Sequence, residues 1–96
     1  MLFGNKVREL REERGLLLRE VAALLEVDTA TVSKIELGIR SIKKEQIKPL
    51  ADVLDADADE LHTLWLANKV YMIIEGDKKG IEASKIAIEL LKIQMK

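Results

Sequence analysis

Apolar residues recur at intervals of three and four along the whole chain, with no sustained alternation, so the pattern predicts helices and no strand. A first helix over residues 2–14 turns Phe3, Val7 and Leu10 inward. Gly15 closes it, since glycine takes φ > 0 past a helix end without strain. A second helix over residues 18–25 points Val21, Ala22 and Leu25 inward, and residues 26–28 form a tight turn whose Asp28 is a good N-cap. A third helix follows over residues 29–36, stopped by Gly38. Residues 39–43 read as a loop, and a fourth helix over residues 44–54 buries Ile47, Leu50, Ala51 and Leu54. Pro49 is harmless there if the helix begins near Gln46 and kinks it if the helix begins at Lys44. Asp57 is the expected N-cap of a fifth helix over residues 58–74, which carries Leu61, Leu64, Trp65, Val70, Ile73 and Ile74. A turn over residues 75–80 leads to a sixth helix over residues 81–96. It carries Ile86, Leu90 and Ile93, with Ile88, Leu91 and Met95 on adjoining faces.

The third helix is the informative one. Val32 and Ile35, three apart, pack inward together. Thr29, Ala30, Ser33 and Lys34 occupy another face, linked by four-residue spacings. That face has two hydroxyls, one methyl and one ammonium, and no bulky aliphatic side chain. Hydroxyls exchange hydrogen bonds with base edges, a methyl meets the thymine methyl, and an ammonium reaches guanine O6 and N7. The same four residues also make an ordinary solvated helix face, so by themselves they leave both readings open.

Length and charge set bounds. Ninety-six residues make one small domain with room for an appendage. A chain of this size buries only about 60–65% of its unfolded surface, so a partner subunit would help. The net charge of −1 is unevenly placed: residues 1–48 hold ten Lys/Arg against eight Asp/Glu, residues 49–96 six against nine. A net +2 in the first half neither requires nor forbids a polyanionic partner. There is no cysteine, hence no disulfide framework and no thiolate chemistry. No apolar run nears the roughly 20 residues that span a bilayer, and the N-terminus lacks the apolar stretch of a signal peptide. A cytoplasmic protein without membrane attachment is the expectation.

Catalytic and metal chemistry find no support. His62 is the single histidine and has no second ligand at metal spacing. The carboxylates of residues 55–60 lack the glycine and terminal glutamate of a calcium loop, and capping and solvation explain them. No nucleophile–base arrangement or phosphate-cradling glycine loop is present. We therefore expect no metal, no cofactor and no enzyme.

Taken together, residues 15–38 resemble the helix-turn-helix of the Xre/Cro family, the lambda-repressor-like domains. Arg11, Gly15, Glu20, Val21, Ala22, Val27, Val32, Ile35, Glu36 and Gly38 carry the resemblance. It continues through residues 50–54 and 59–61, and so covers about residues 5–65. It implies an all-α fold: a five-helix DNA-binding domain over residues 1–66, followed here by an additional C-terminal helix within an extension over residues 67–96. Ala22 suits a close crossing of the second and third helices. Glu36, near a helix C-terminus, opposes the macrodipole and so answers a cation. The resemblance implies that this cation is Arg11. It also implies that Thr29, Ala30, Ser33 and Lys34 read bases, while Arg19, Thr31, Arg40, Lys43 and Lys44 hold phosphates, which position without reading sequence.

Two departures stand out. The family commonly places Thr-Gln where this chain has Leu17 and Leu18, so neither a hydroxyl cap nor an amide contact to phosphate is available there, and Arg19 is the nearest replacement. The turn glycine is Glu26 here, which must take φ > 0 or change the turn.

Minimal domains of the family end near residue 65. The apolar surface beyond it suggests a dimer interface that includes Leu64, Trp65, Ile86, Leu90 and Ile93. A twofold dimer would set two recognition helices about 34 Å apart on a pseudo-palindromic operator. The expected function is a sequence-specific transcriptional regulator, a homodimeric repressor or autoregulator. The alternative is an antitoxin-like interaction module whose C-terminal helices bind a partner protein.

Overall fold

The computed structural model describes residues 2–95. Its order is α1 (Leu2–Glu13), α2 (Leu18–Leu25), α3 (Thr29–Glu36), a 3₁₀ turn (Lys44–Gln46), α4 (Ile47–Leu54), α5 (Ala58–Ile74) and α6 (Gly80–Gln94). Every regular element among the described residues is helical. Lys96, the expected end of the sixth helix, lies outside them.

The core is built from the inward stripes of five helices. Val7, Val21, Val32, Leu50, Leu54 and Leu61 are its most deeply buried large side chains. Phe3, Ala22, Leu25, Ile35, Ile47, Ala51 and the loop residue Ile42 complete it, and Leu10 packs at its edge. Each helix thus contributes one apolar stripe and leaves its charged face to water.

The helix ends explain how residues 15–38 fold. Gly15 takes φ +67°. At the start of α2, where Leu17 cannot cap, the Glu20 carboxylate accepts from the Leu17 amide at 2.9 Å, the reciprocal half of a capping box. Glu26 takes φ +58° and ends α2, its amide donating to the carbonyls of Ala22 and Ala23. The turn therefore keeps its left-handed geometry without glycine, at a steric cost to Glu26.

Three boundaries differ from the sequence pattern. The fourth helix is split. Residues 44–46 form a 3₁₀ turn and the α-helix starts at Ile47, which puts Pro49 in the first turn, where its missing N–H has no carbonyl to serve. The sixth helix starts at Gly80, one residue early, and the first stops at Glu13. As expected, α5 runs unbroken from Ala58 to Ile74. Burial changes along that helix: Leu61 is buried, whereas Leu66, Val70, Tyr71, Met72 and Ile73 are exposed.

Leu64 and Trp65 pack first against their own core. The indole Nε1 of Trp65 donates to the Ile42 carbonyl at 2.9 Å. Both stay partly exposed, Leu64 against the core and Trp65 at the wall of an open groove. Their apolar character reported burial, and sequence does not say against what.

Candidate nucleic-acid interface

The third helix stands on the molecule with its inner face clamped. Val32, Ile35 and Glu36 are buried. Thr29, Ala30 and Lys34 are exposed and Ser33 is half-buried, so these four share the solvent side of α3.

Two devices fix the pose of α3. Where α1 crosses its C-terminus, Gly4 is buried, and a Cβ there would collide with the carbonyl oxygens of Ile35 and Glu36. Only a residue without a side chain allows that approach. Beside it, Arg11 holds Glu36 in a bidentate pair, Nε to Oε2 at 2.7 Å and a terminal nitrogen to Oε1 at 3.2 Å. A third bond runs from the guanidinium to the Leu16 carbonyl at 2.9 Å. The side chains are 14% and 6% exposed, and the Glu36 hydrogen bonds are the main cause that raises the Arg11 pKa above its ordinary value. The pair ties α1 to α3 and to the start of the turn into α2.

The N-terminus of α3 is capped by Asp28, which accepts from the Thr31 amide at 2.8 Å and from its hydroxyl at 2.7 Å. The Thr31 hydroxyl, then its amide, hold the Asp28 carboxyl below the usual aspartate value, and Lys34 and Arg40 add to this against desolvation. The Thr31 hydroxyl proton is thus engaged by Asp28, and a phosphate oxygen would take it in exchange for that one bond while the amide cap stays.

The cations flank α3 unequally. Arg40 and Lys43 line one open groove of about 340 Å³, together with Glu26, Thr31, Ser41 and Gln46. The segment after α3 is held there by backbone, the Ile39 and Arg40 amides donating to the Lys34 carbonyl at 2.9 and 3.2 Å. Arg19 and Lys44 are exposed on the first turns of α2 and of the 3₁₀ turn, and neither lines that groove.

Sequence reading missed three positioning residues. Ile42 is buried in the middle of the loop and anchors it beneath Trp65. Gln46 accepts from the Lys43 amide at 2.8 Å, so that Lys43 begins a turn of fixed geometry; the three-residue spacing was the available signal. Gly4 had no signal, because nothing local distinguishes a close crossing from a poor helix former.

His62 stands beside Trp65, with ring centroids 6.0 Å apart. Among the described residues no group of three or more His, Cys, Asp or Glu could hold a metal ion. No helix among them is long and apolar enough to cross a membrane.

Comparison with known proteins agrees with this geometry. A family model described as a helix-turn-helix domain matches residues 2–64. The chain is 42% identical over 60 residues to the uncharacterized HTH-type transcriptional regulator RghRB of Bacillus subtilis (strain 168), covering 62% of this chain and 43% of that protein. It is 43% identical over 53 residues to the HTH-type transcriptional repressor RghR of the same organism, covering 54% of this chain and 39% of the relative. The chain thus spans less than half the length of these curated relatives. No solved structure matches it. With α3 clamped across α1 and α2, its polar face outward, and the match running from the first helix into the fifth, the chain belongs to the helix-turn-helix DNA-binding family of the Xre/lambda-repressor type.

Proposed function

We propose that the protein is a sequence-specific transcriptional regulator that binds duplex DNA as a homodimer and acts as a repressor or autoregulator in the cytoplasm. The observation that carries this is the outer face of α3. Thr29, Ala30, Ser33 and Lys34 face solvent from a helix whose pose is fixed on its inner side. On this reading α3 enters the major groove and those four residues meet base edges. Arg40 and Lys43 take phosphates on one flank of α3, with Arg19 and Lys44 as further phosphate contacts. The name of one relative, a transcriptional repressor, supports the sign of regulation.

The test is selection of the purified protein against a randomised duplex pool at two salt concentrations. Enrichment of two half-sites about one duplex turn apart is the expected outcome. Salt-sensitive binding with no enriched motif would reduce the site to a backbone binder and overturn sequence reading. Absence of binding, with a heterologous protein co-purifying through α5 and α6, would favour the interaction-module alternative.

A further inference from the structure

The last helix has a composition that its own chain does not use. In α6 the charged residues Glu82, Lys85, Glu89 and Lys92 follow at spacings of three and four and form one strip. Apart from Gln94 at its last position, the remaining circumference is apolar or small. A helix apolar over so much of its surface packs on more than one side. Yet within this chain only Gly80 of α6 is buried, and the large apolar side chains from Ile81 to Met95 are 49–84% exposed. The radius of gyration, 15.1 Å, exceeds the roughly 12.5 Å of a compact chain of this length.

A second feature complements it. A groove of about 450 Å³ lies between α5, the first turn of α1 and the segment after α3. Phe3, Ile39, Trp65, Met72 and Ile73 wall it, and no residue of α6 lines it. Asn68 also faces it, with its Oδ1 buried and without a hydrogen-bond partner among the described residues.

The area decides the occupant. Twelve large apolar side chains are exposed on α5 beyond Trp65, on α6 and at Met95 just past its end. At about 60–120 Å² each, they offer on the order of 1,000 Å² per chain. A stable interface needs about 800 Å² per partner. A second copy, carrying the same helix and the same groove, satisfies both at once through one twofold axis.

We propose that α6 crosses to a second copy of this chain and seats its apolar face in that copy's groove, reciprocally. The inference rests on the dimeric reading above and specifies what the dimer is made of. It has a consequence for DNA binding. Ile39 and Arg40 both line the groove, so the partner's α6 packs against the segment that presents the phosphate-binding arginine.

The chain has no cysteine, which makes cross-linking direct. Full-length chains carrying Met72→Cys or Ile39→Cys would be mixed with chains carrying Ile86→Cys, Leu90→Cys or Ile93→Cys and oxidised. The expected result is a mixed disulfide of twice the chain mass in at least one pairing. Linkage inside a single chain when both substitutions are combined, or no linkage in any pairing, would overturn the proposal. Leu90→Glu should weaken dimerisation by about 30–100-fold in sedimentation while the helical circular-dichroism signal stays; an unchanged dimer would also overturn it. Operator selection run in parallel separates the two readings. A mixed disulfide without an enriched operator would leave the exchange standing and remove the DNA reading. An operator-bound dimer without the disulfide would do the reverse.

Discussion

Removing one partner of the Arg11–Glu36 pair is the sharpest probe of how α3 is held. Glu36→Ala leaves a guanidinium only 14% exposed, with the Leu16 carbonyl as its remaining partner, and deletes two charge-assisted hydrogen bonds. An uncompensated charge at such a site costs about 3–5 kcal/mol. For a domain of this size about 4 kcal/mol corresponds to roughly 20 °C in Tm. Replacing both residues by apolar ones of similar volume, Arg11→Met with Glu36→Leu, should recover most of the loss, because desolvating the ions offsets much of their attraction. Urea denaturation of the two single variants and the double variant, read as a thermodynamic cycle, gives the coupling. A single-variant cost below about 1 kcal/mol, the range of exposed ion pairs, would refute the claim that this pair fixes α3. A double variant as unstable as the singles would show that packing, rather than an orphaned charge, is responsible.

Other outcomes follow from neighbouring details. Gly4→Ala should destabilise by at least about 1–3 kcal/mol in denaturant melts, since the added methyl meets carbonyl oxygens of α3; a neutral result would mean that α1 shifts freely. Glu26→Gly relieves a φ of +58° and should stabilise by up to about 1 kcal/mol, the steric relief exceeding the added unfolded-state entropy; a lower urea midpoint would contradict this. Because the folded Asp28 carboxyl titrates below its ordinary 3.8, its contribution is present above that pH and fades as pH falls through the folded value. Asp28→Asn should therefore flatten the acid limb of a Tm-versus-pH profile, and an unchanged limb would refute the cap's titration. Lys34→Ala should cost about 1–3 kcal/mol in operator affinity and relax preference at one base position, whereas Arg40→Ala should weaken all duplexes alike and reduce the salt slope by about one unit. Quantitative binding to single-base operator variants at several salt concentrations would distinguish the two, and an exchange of these phenotypes would reverse the assigned roles.

Much of the fold was legible because its signals are local. The bounds of α2, α3 and α5 follow from apolar spacing together with Asp28, Asp57 and the chain's glycines, each of which acts within one turn of its own position. The outward face of α3 was legible for the same reason: once Val32 and Ile35 are inside, helical geometry places Thr29, Ala30, Ser33 and Lys34 elsewhere. Even the strained turn at Glu26 was visible, as a non-glycine residue where the family uses glycine.

What depends on distance in space was decided by the tertiary structure. Gly4 leaves room for another helix to pass over it, and α3 lies about 30 residues further along the chain. Position marks Thr31 as a phosphate contact, and only geometry shows that its single hydroxyl proton is given to Asp28. Trp65 read as an interface residue, and the structure adds a hydrogen bond to the Ile42 carbonyl of its own domain, 23 residues away in sequence. Hydrophobic periodicity determines that a face must leave water, because that free energy depends on area alone. Which surface covers it depends on shape and direction, and those exist only once the helices have been packed against one another.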